Sequence, residues 1–360
     1  MTRGNLVRWV LGLALGALFV WLAAREWPLH ALFSAAVKLD GATLVSAAGW
    51  SFHLPTLLPY FAVLTAIHFL RVIRWRPLVA PLGHVDLGTL NRVSALGNMY
   101  LFVLPLRLGE LARPYYLYRE TGIQMSASLG TIAVERVADG LMVSLLLGLT
   151  LPFLPEGSAA GELRLAAGLS LAVFAAALVV LFGLVMARSQ TLAILRAVGY
   201  RISRKLTDRV LSVASAFIDG LAALPSRRHI LDFLAWSLAY WALNGFGYYV
   251  LAMGFPGLHV PLVLAYAMMG CVVVGMMLPN PPANVGVYWY FLLKPITLYG
   301  VAVGDPSATL FGLLAWLGQL VQQTAFGIVL GRRTSAPTAE PAPPVDLGDG
   351  LGHPQGPVGR

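Results

Sequence analysis

Long runs of apolar residues, separated by short polar stretches, dominate the chain and predict a helical membrane protein. Six of these runs are long enough to cross about 30 Å of hydrocarbon at about 1.5 Å per residue. They are residues 6–24, 55–73, 126–153, 165–187, 230–253 and 307–330. The predicted fold class is therefore an all-α polytopic membrane protein with about six spanning helices.

Two further apolar regions are interrupted. Residues 91–119 are broken at 105–109, and residues 261–303 are broken at 278–286. The arms of the first region, of about fifteen residues each, are too short to cross, and proline and glycine end helices. Broken backbone at membrane depth is tolerated where it is buried in protein or lines a cavity. We predict that both regions are re-entrant hairpins. The alternative is that each region crosses the membrane twice, because two crossings would leave the flanking loops on the same side of the membrane as a hairpin does.

The distribution of arginine and lysine predicts the orientation. Arg71, Arg74 and Arg76 close the second run, and further basic residues precede the first run, fill residues 188–228 and follow the last run. The positive-inside rule places all of them in the cytoplasm, together with both termini. The first hairpin then enters from the cytoplasm and the second from outside.

The order of these segments repeats along the chain. Residues 1–155 and 164–331 each contain two spans, a hairpin and a third span, in opposite orientations. Inverted repeats with broken segments in matching positions are typical of transporters. Chance placement of the two breaks is the alternative, because the halves share almost no sequence. We predict a transmembrane domain over 1–333 and, because it is proline-rich and lacks aromatic residues, a disordered tail over 334–360.

Residues 189–224 have a different pattern, with apolar residues at every third or fourth position and arginines on the opposite face. This pattern predicts one or two amphipathic helices on the inner leaflet, held partly by anionic headgroups. An ordinary cytoplasmic loop is the alternative.

Composition supports the membrane class. Only 11% of the 360 residues are charged, against about 25% in soluble domains. The net charge of +9 lies mainly in the predicted cytoplasmic flanks, which indicates anionic lipid as a partner and not nucleic acid. The single cysteine, Cys271, excludes an internal disulfide, and the seven histidines have no metal-ligand spacing. We predict no metal and no cofactor.

Six ionisable side chains fall inside the predicted membrane region. They are Arg107, Glu110, Arg113, Glu135, Arg136 and Asp139. A charge at the bilayer centre costs about 2.5–3.5 kcal/mol on insertion scales, so these groups must face one another, water or a polar ligand. Their formal charges sum to zero, and one interpretation is a salt-bridge lattice that fastens the hairpin to its neighbour. The other is a chamber in which Arg107 and Arg113 bind phosphate and the carboxylates compensate charge.

A set of motifs resembles the lysylphosphatidylglycerol synthase transmembrane family, flippase-like membrane proteins of bacteria and archaea. The motifs are Gly97-Asn98, Pro105-x-Arg107-x-Gly109-Glu110-x-x-Arg113, Thr121-Gly122, Ser126-x-Ser128 and Glu135-Arg136-x-x-Asp139. Residues 281–286 resemble the family's Pro-Gly-rich segment, but Ala283 and Asn284 stand where glycines are usual, and Trp289 stands where a glutamate is common. We add Asn98, Asn280 and Asn284 to the candidate substrate-binding residues, although asparagines at a proline-rich tip also cap turns.

The resemblance implies a protein of the bacterial or archaeal cytoplasmic membrane that moves a lipid with an anionic headgroup between leaflets. Phospholipids, aminoacyl-phospholipids and polyprenyl phosphates are the candidate cargoes. The family's synthases also carry a soluble aminoacyl-transfer domain, which we do not expect here because only a short tail follows Arg333. A non-transporting partner of a lipid-modifying complex and an intramembrane lipid transferase are the alternatives. Of these two alternatives, the transferase is the less expected, because the sequence has no nucleotide loop and no nucleophile–base motif.

Overall fold

The computed structural model describes residues 35–104, 109–201, 203–222, 226–277, 282–302 and 304–331. The predicted span 6–24, the tail 334–360, Arg107 and Asn280 lie outside the described residues. Within the described ranges the chain forms eleven α-helices. They are α1 (Leu57–Val79), α2 (Leu87–Val103), α3 (Ala112–Thr121), α4 (Met125–Thr150), α5 (Ser158–Met186), α6 (Arg188–Gly199), α7 (Arg204–Ala222), α8 (Arg227–Ala252), α9 (Leu262–Met276), α10 (Val287–Leu293) and α11 (Pro306–Gly331).

Five predicted spans are single long helices, namely α1, α4, α5, α8 and α11. Three helical stretches, Leu54–Val79, Ala160–Met186 and Pro306–Gly331, are long and apolar enough to cross a membrane. Helices α4 and α8 have 26 residues each. That is about 39 Å at 1.5 Å per residue, so these two helices are as long as those three stretches. The predicted all-α membrane fold is confirmed.

The first interrupted region folds back on itself, as predicted. At the open end of the α2–α3 pair, Arg92 Nη2 lies 2.7 Å from Glu120 Oε2, and closer to the break the rings of Tyr100 and Tyr116 stack with centroids 5.9 Å apart. Gly109 lies against the backbone of α2, where an added Cβ would be 2.3 Å from the carbonyl of Tyr100. Helix α3 has ten residues, about 15 Å, and is too short to cross a membrane.

The second interrupted region is also a helical hairpin. Gly275 on α9 faces Phe291 on α10, and an added Cβ would lie 2.0 Å from that ring. The chain continues after α10 as a 3-10 helix, Lys294–Tyr299, which also packs on α9. The tip of this hairpin includes the turn Pro282–Asn284, which contacts α2. The two hairpins therefore meet inside the bundle.

The tip of the second hairpin explains one departure from the resembled family. Ala283 and Asn284 have φ values of 56° and 54°. Glycine adopts this left-handed conformation freely, and asparagine tolerates it better than most residues. The backbone therefore keeps the conformation for which glycine is usual, although the side chains differ.

A small antiparallel sheet precedes α1, and the sequence analysis did not predict it. The Phe52 ring packs on Phe255 with centroids 4.9 Å apart, and the amide of His53 donates to the carbonyl of Gly254 at 2.8 Å. The sheet thus covers the end of the bundle where α1 begins and α8 ends. Its strands are too short to show a clear alternation of polar and apolar residues. They are β1 (Val37–Asp40), β2 (Thr43–Ser46) and β3 (Ser51–His53), in that spatial order.

The amphipathic pattern of residues 189–224 corresponds to α6 and α7. Gly220 on α7 lies on the backbone of α4, where an added Cβ would be 2.5 Å from the carbonyl oxygen of Ala127. Leu206 and Val213 are each 57% exposed. This exposed apolar surface favours a position at the membrane surface, as predicted.

We expect Gly220→Ala to lower the unfolding temperature in detergent, because the added methyl group would push α7 away from α4. Overpacking of this kind costs about 1–3 kcal/mol. Gly148→Ala on α4 is the matched control, since its Cβ would meet no atom within 4 Å. Scanning fluorimetry of the purified proteins measures both. An unfolding temperature for Gly220→Ala equal to that of the control would contradict the close α4–α7 contact.

Candidate functional site

A buried cluster of charges joins α1, α3 and α4. Glu135 on α4 is fully buried and accepts hydrogen bonds from three guanidinium groups. Arg74 and Arg136 donate to its Oε1 at 2.7 and 3.0 Å, and Arg113 donates to its Oε2 at 2.9 Å. Part of the salt-bridge lattice that the sequence suggested is therefore present, with Arg74 as an additional member, and it joins the hairpin helix α3 to α4.

Arg74 contacts both carboxylates of α4. Its Nη1 and Nη2 donate to the two oxygens of Asp139 as a fork, while Nη2 also donates to Glu135. Asp139 Oδ1 accepts a further hydrogen bond from Trp241 Nε1 on α8, at 2.9 Å. The Arg74 guanidinium lies 4.1 Å from the centroid of the Tyr240 ring. Both oxygens of Asp139 are therefore bound by protein groups.

The position of Arg74 corrects the sequence analysis. The positive-inside count placed Arg71, Arg74 and Arg76 together at the cytoplasmic end of the second span. Arg76 is exposed, but Arg74 is 1% exposed and lies inside the cluster. The reason is that α1 continues to Val79, six residues beyond the predicted end of the span. Arg71 and Arg74 are one helical turn apart, and this spacing is the signal in the sequence that could have identified the inward face of α1.

Arg113, a predicted phosphate ligand, is buried behind the cluster. Besides Glu135, its guanidinium contacts the ring of Trp75, 4.0 Å from the centroid. The aliphatic part of the Arg113 side chain packs on Gly97 of α2, where a Cβ added to Gly97 would lie 2.2 Å from Arg113 Cγ. With Glu110 it lines a cavity of about 20 Å³, which has no room for a phosphate group. The position fits charge compensation; its phosphate role stays a prediction.

A larger cavity of about 120 Å³ lies beside the charged cluster, between α1, α2, α4, α8, α9 and α11. One part of its wall is apolar and is supplied mainly by α9, including Met269, Val272 and Met276. The rest of the lining is largely polar. Its polar side chains are Arg71, Arg74, Asn98, Arg136, Asp139, Tyr240, Asn244, Tyr248, Gln319 and Gln323.

Arg71 is the surplus cation of this cavity. Its Nη2 donates to the hydroxyl of Tyr240 at 2.9 Å, and in the part of the chain that the structure describes it forms no ion pair. Arg74 and Arg136, the other two arginines on the wall, contact the carboxylates of α4. We therefore expect an anion in the cavity to pair with Arg71, whose positive charge no described carboxylate compensates.

Two buried amides on the cavity wall have atoms without a hydrogen-bond partner among the described residues. They are Nδ2 of Asn98, which is 4% exposed, and Oε1 of Gln323, which is 7% exposed. Buried polar atoms in folded proteins are nearly always bonded to protein, water or ligand. The unpaired donor and acceptor are therefore available to a water molecule or to a polar group of a ligand.

The predicted site residues fall into three groups. Asn98, Arg136 and Asp139 line the cavity, whereas Glu110, Arg113 and Glu135 lie behind it. Asn284 is buried in the tip turn of the second hairpin. Arg107 and Asn280 lie outside the described residues. Across the described ranges, no group of three or more histidine, cysteine, aspartate or glutamate side chains is placed to hold a metal ion.

Comparison with known proteins supports a lipid-related membrane role. The family model described as "Lysylphosphatidylglycerol synthase TM region" matches residues 9–327, nearly the whole chain. The protein named Glycosyltransferase AglD, from Haloferax volcanii, is 26% identical over an alignment 333 positions long that covers 80% of this chain and 52% of that protein. The chain thus spans about half the length of this relative. No solved structure matches the chain.

We expect Arg74→Ala to lower the unfolding temperature strongly, because it removes a shared cation from two buried carboxylates. Removing one partner of a buried pair costs about 3–5 kcal/mol. Arg92→Ala is the control, since it breaks a partly exposed pair with Glu120 that contributes about 0–1 kcal/mol. Thermal unfolding in detergent distinguishes the two. Similar losses for both variants would show that Glu135 and Asp139 do not depend on Arg74.

Proposed function

Because the chain belongs to the lysylphosphatidylglycerol synthase transmembrane family, we propose that it moves a lipid with an anionic headgroup between the leaflets of the cytoplasmic membrane. A phospholipid, an aminoacyl-phospholipid or a polyprenyl phosphate fits this description. The observation that carries the proposal is the cavity wall around Arg71, where positive charge exceeds negative charge in the interior of the bundle.

Arg71 carries a charge whose burial costs free energy. A cation at membrane depth is unfavourable unless it reaches water or an anion. Arg74 and Arg136 have carboxylate partners, but Arg71 has only the Tyr240 hydroxyl and ring. A phosphate in the cavity would give Arg71 an anionic partner, since guanidinium donors match phosphate oxygens in geometry as well as charge.

The hairpins supply the gates in this proposal. They meet where the turn Pro282–Asn284 contacts α2, the helix that also contributes Asn98 to the cavity wall. We infer that the first hairpin opens toward the cytoplasm and the second toward the outside, with both termini in the cytoplasm. Movement of one hairpin at a time would expose the same headgroup site to the two leaflets in turn, as alternating access requires.

A second candidate is a partner role in lipid-linked sugar transfer, which the name of the Haloferax volcanii relative favours. A catalytic role for this chain's own cluster is disfavoured by the geometry. A carboxylate that acts as a general base must lie within reach of the substrate. Asp139 is instead bound by Arg74 and Trp241, and Glu135 is bound by three arginines. In this second candidate function, the chain presents the lipid, and another domain or protein catalyses the sugar transfer.

We expect Arg71→Met to reduce lipid translocation about 10- to 100-fold, because a charge-assisted hydrogen bond contributes about 1.5–3 kcal/mol. The assay follows fluorescently labelled phosphatidylglycerol in liposomes by its loss of accessibility to an impermeant quencher. Arg119→Met, at an exposed position on α3, is the control and should keep wild-type transport.

Two results would contradict the proposal. One is wild-type transport by Arg71→Met at equal reconstitution. The other is a wild-type protein that leaves every anionic lipid in its original leaflet, which would favour the partner role.

A further inference from the structure

We propose that the headgroup carried by this protein is a phosphate ester with neutral hydroxyl groups, such as a glycerol or a sugar, and not a cationic aminoacyl group. The inference rests on the proposed function, because it names the substrate class of the same cavity. Three features of the cavity wall support it: its unpaired amides, its tyrosine hydroxyls and its charge.

The unpaired amides match a hydroxyl group. Asn98 offers a donor, Nδ2, and Gln323 offers an acceptor, Oε1, neither of which has a partner among the described residues. Hydroxyl groups of a ligand can accept from the first and donate to the second, because each hydroxyl is both donor and acceptor. An ammonium group only donates, and it would leave the Asn98 donor unpaired.

Further neutral polar groups extend this wall from α8 and α11. Gln319 Nε2 donates to the hydroxyl of Tyr288 at 3.0 Å, and that hydroxyl lies 2.8 Å from the hydroxyl of Tyr248. Tyr248 and Gln319 both line the cavity. Hydroxyl groups that can rotate, next to fixed amides, suit a ligand with several hydroxyls.

The charge of the wall opposes a cationic headgroup. Asp139 is the carboxylate on this wall among the residues that the structure describes, and its oxygens are bound by Arg74 and Trp241. A lysyl ammonium would therefore face Arg71 and Arg136 without a counter-ion of its own. Such unmatched charge is a way for a site to reject one ligand while it accepts another.

The apolar part of the wall indicates that the phosphate ester is attached to a lipid. Met269 and Met276 on α9 line the cavity together with Val272. Methionine side chains adapt to irregular apolar shapes, and they would contact the first carbons beyond the headgroup. A water-soluble phosphate ester has no acyl carbons to contact this surface.

The test is a binding measurement on the full chain in phosphatidylcholine nanodiscs. The probes are short-chain phosphatidylglycerol, its lysyl ester, short-chain phosphatidylmethanol and free glycerol phosphate. Phosphatidylmethanol has the same charge as phosphatidylglycerol but no headgroup hydroxyls. We expect phosphatidylglycerol to bind roughly three- to tenfold more tightly than phosphatidylmethanol, as one or two neutral hydrogen bonds would give, and the lysyl ester to bind most weakly of the three lipids.

The variant Gln323→Leu replaces the side chain by an apolar one of comparable size and so removes its amide. It should abolish the preference for phosphatidylglycerol over phosphatidylmethanol while the affinity for phosphatidylmethanol stays unchanged. Gln322→Leu is the matched control, because the neighbouring side chain does not line this cavity, and it should keep the preference.

Each other outcome overturns a defined part of the account. Binding of the lysyl ester as tight as that of phosphatidylglycerol, or a preference that survives Gln323→Leu, would overturn the hydroxyl-bearing headgroup and leave anionic-lipid transport intact. Glycerol phosphate binding as tightly as the lipids would assign the site to a soluble ester. No binding of any anionic lipid would overturn the proposed function itself.

Discussion

The ion pairs of Arg74 with Glu135 and Asp139 are the interaction on which the rest of the structure depends. Two carboxylates four residues apart on α4 could not remain charged in an apolar bundle without a cation between them. Arg74 supplies it from α1, and Trp241 adds a hydrogen bond from α8. The same cluster reaches α3 through Arg113. One set of charges therefore fixes two spanning helices and the first hairpin to α4.

This arrangement also separates structural charge from charge available to a ligand. Arg74 forms ion pairs with both carboxylates. Arg71, one helical turn earlier on α1, lines the cavity and has no carboxylate partner in the described chain. Neutral amides and apolar side chains line the same cavity. A lipid headgroup resembles this distribution, since it joins an anionic phosphate and polar substituents to hydrocarbon. The same physics thus accounts for the stability of the bundle and for the ligand that we infer.

Features that depend on local sequence were predictable, and features that depend on distant contacts were not. Long apolar runs predicted α1, α4, α5, α8 and α11, and prolines with glycines predicted both hairpins. The spacing of Glu135 and Asp139 placed them on one face of α4. Arg74 was misplaced, because a hydropathy pattern does not show that a basic residue near a helix end turns inward to a partner 61 residues away. Gln319, Gln323 and Asn244 were missed since isolated amides on apolar helices carry no signal until the fold brings them together.

The most direct test of this account is a high-resolution structure of the protein in nanodiscs that contain phosphatidylglycerol. The account predicts lipid density in the cavity, with the phosphate within hydrogen-bonding distance of the Arg71 guanidinium and the glycerol hydroxyls next to Asn98 and Gln323. It also predicts that Arg74 keeps its contacts with Glu135 and Asp139 when the lipid is bound. A lipid phosphate bound to Arg74 or Arg113 instead, with Arg71 pointing away from the cavity, would contradict the division between structural and ligand-binding charge.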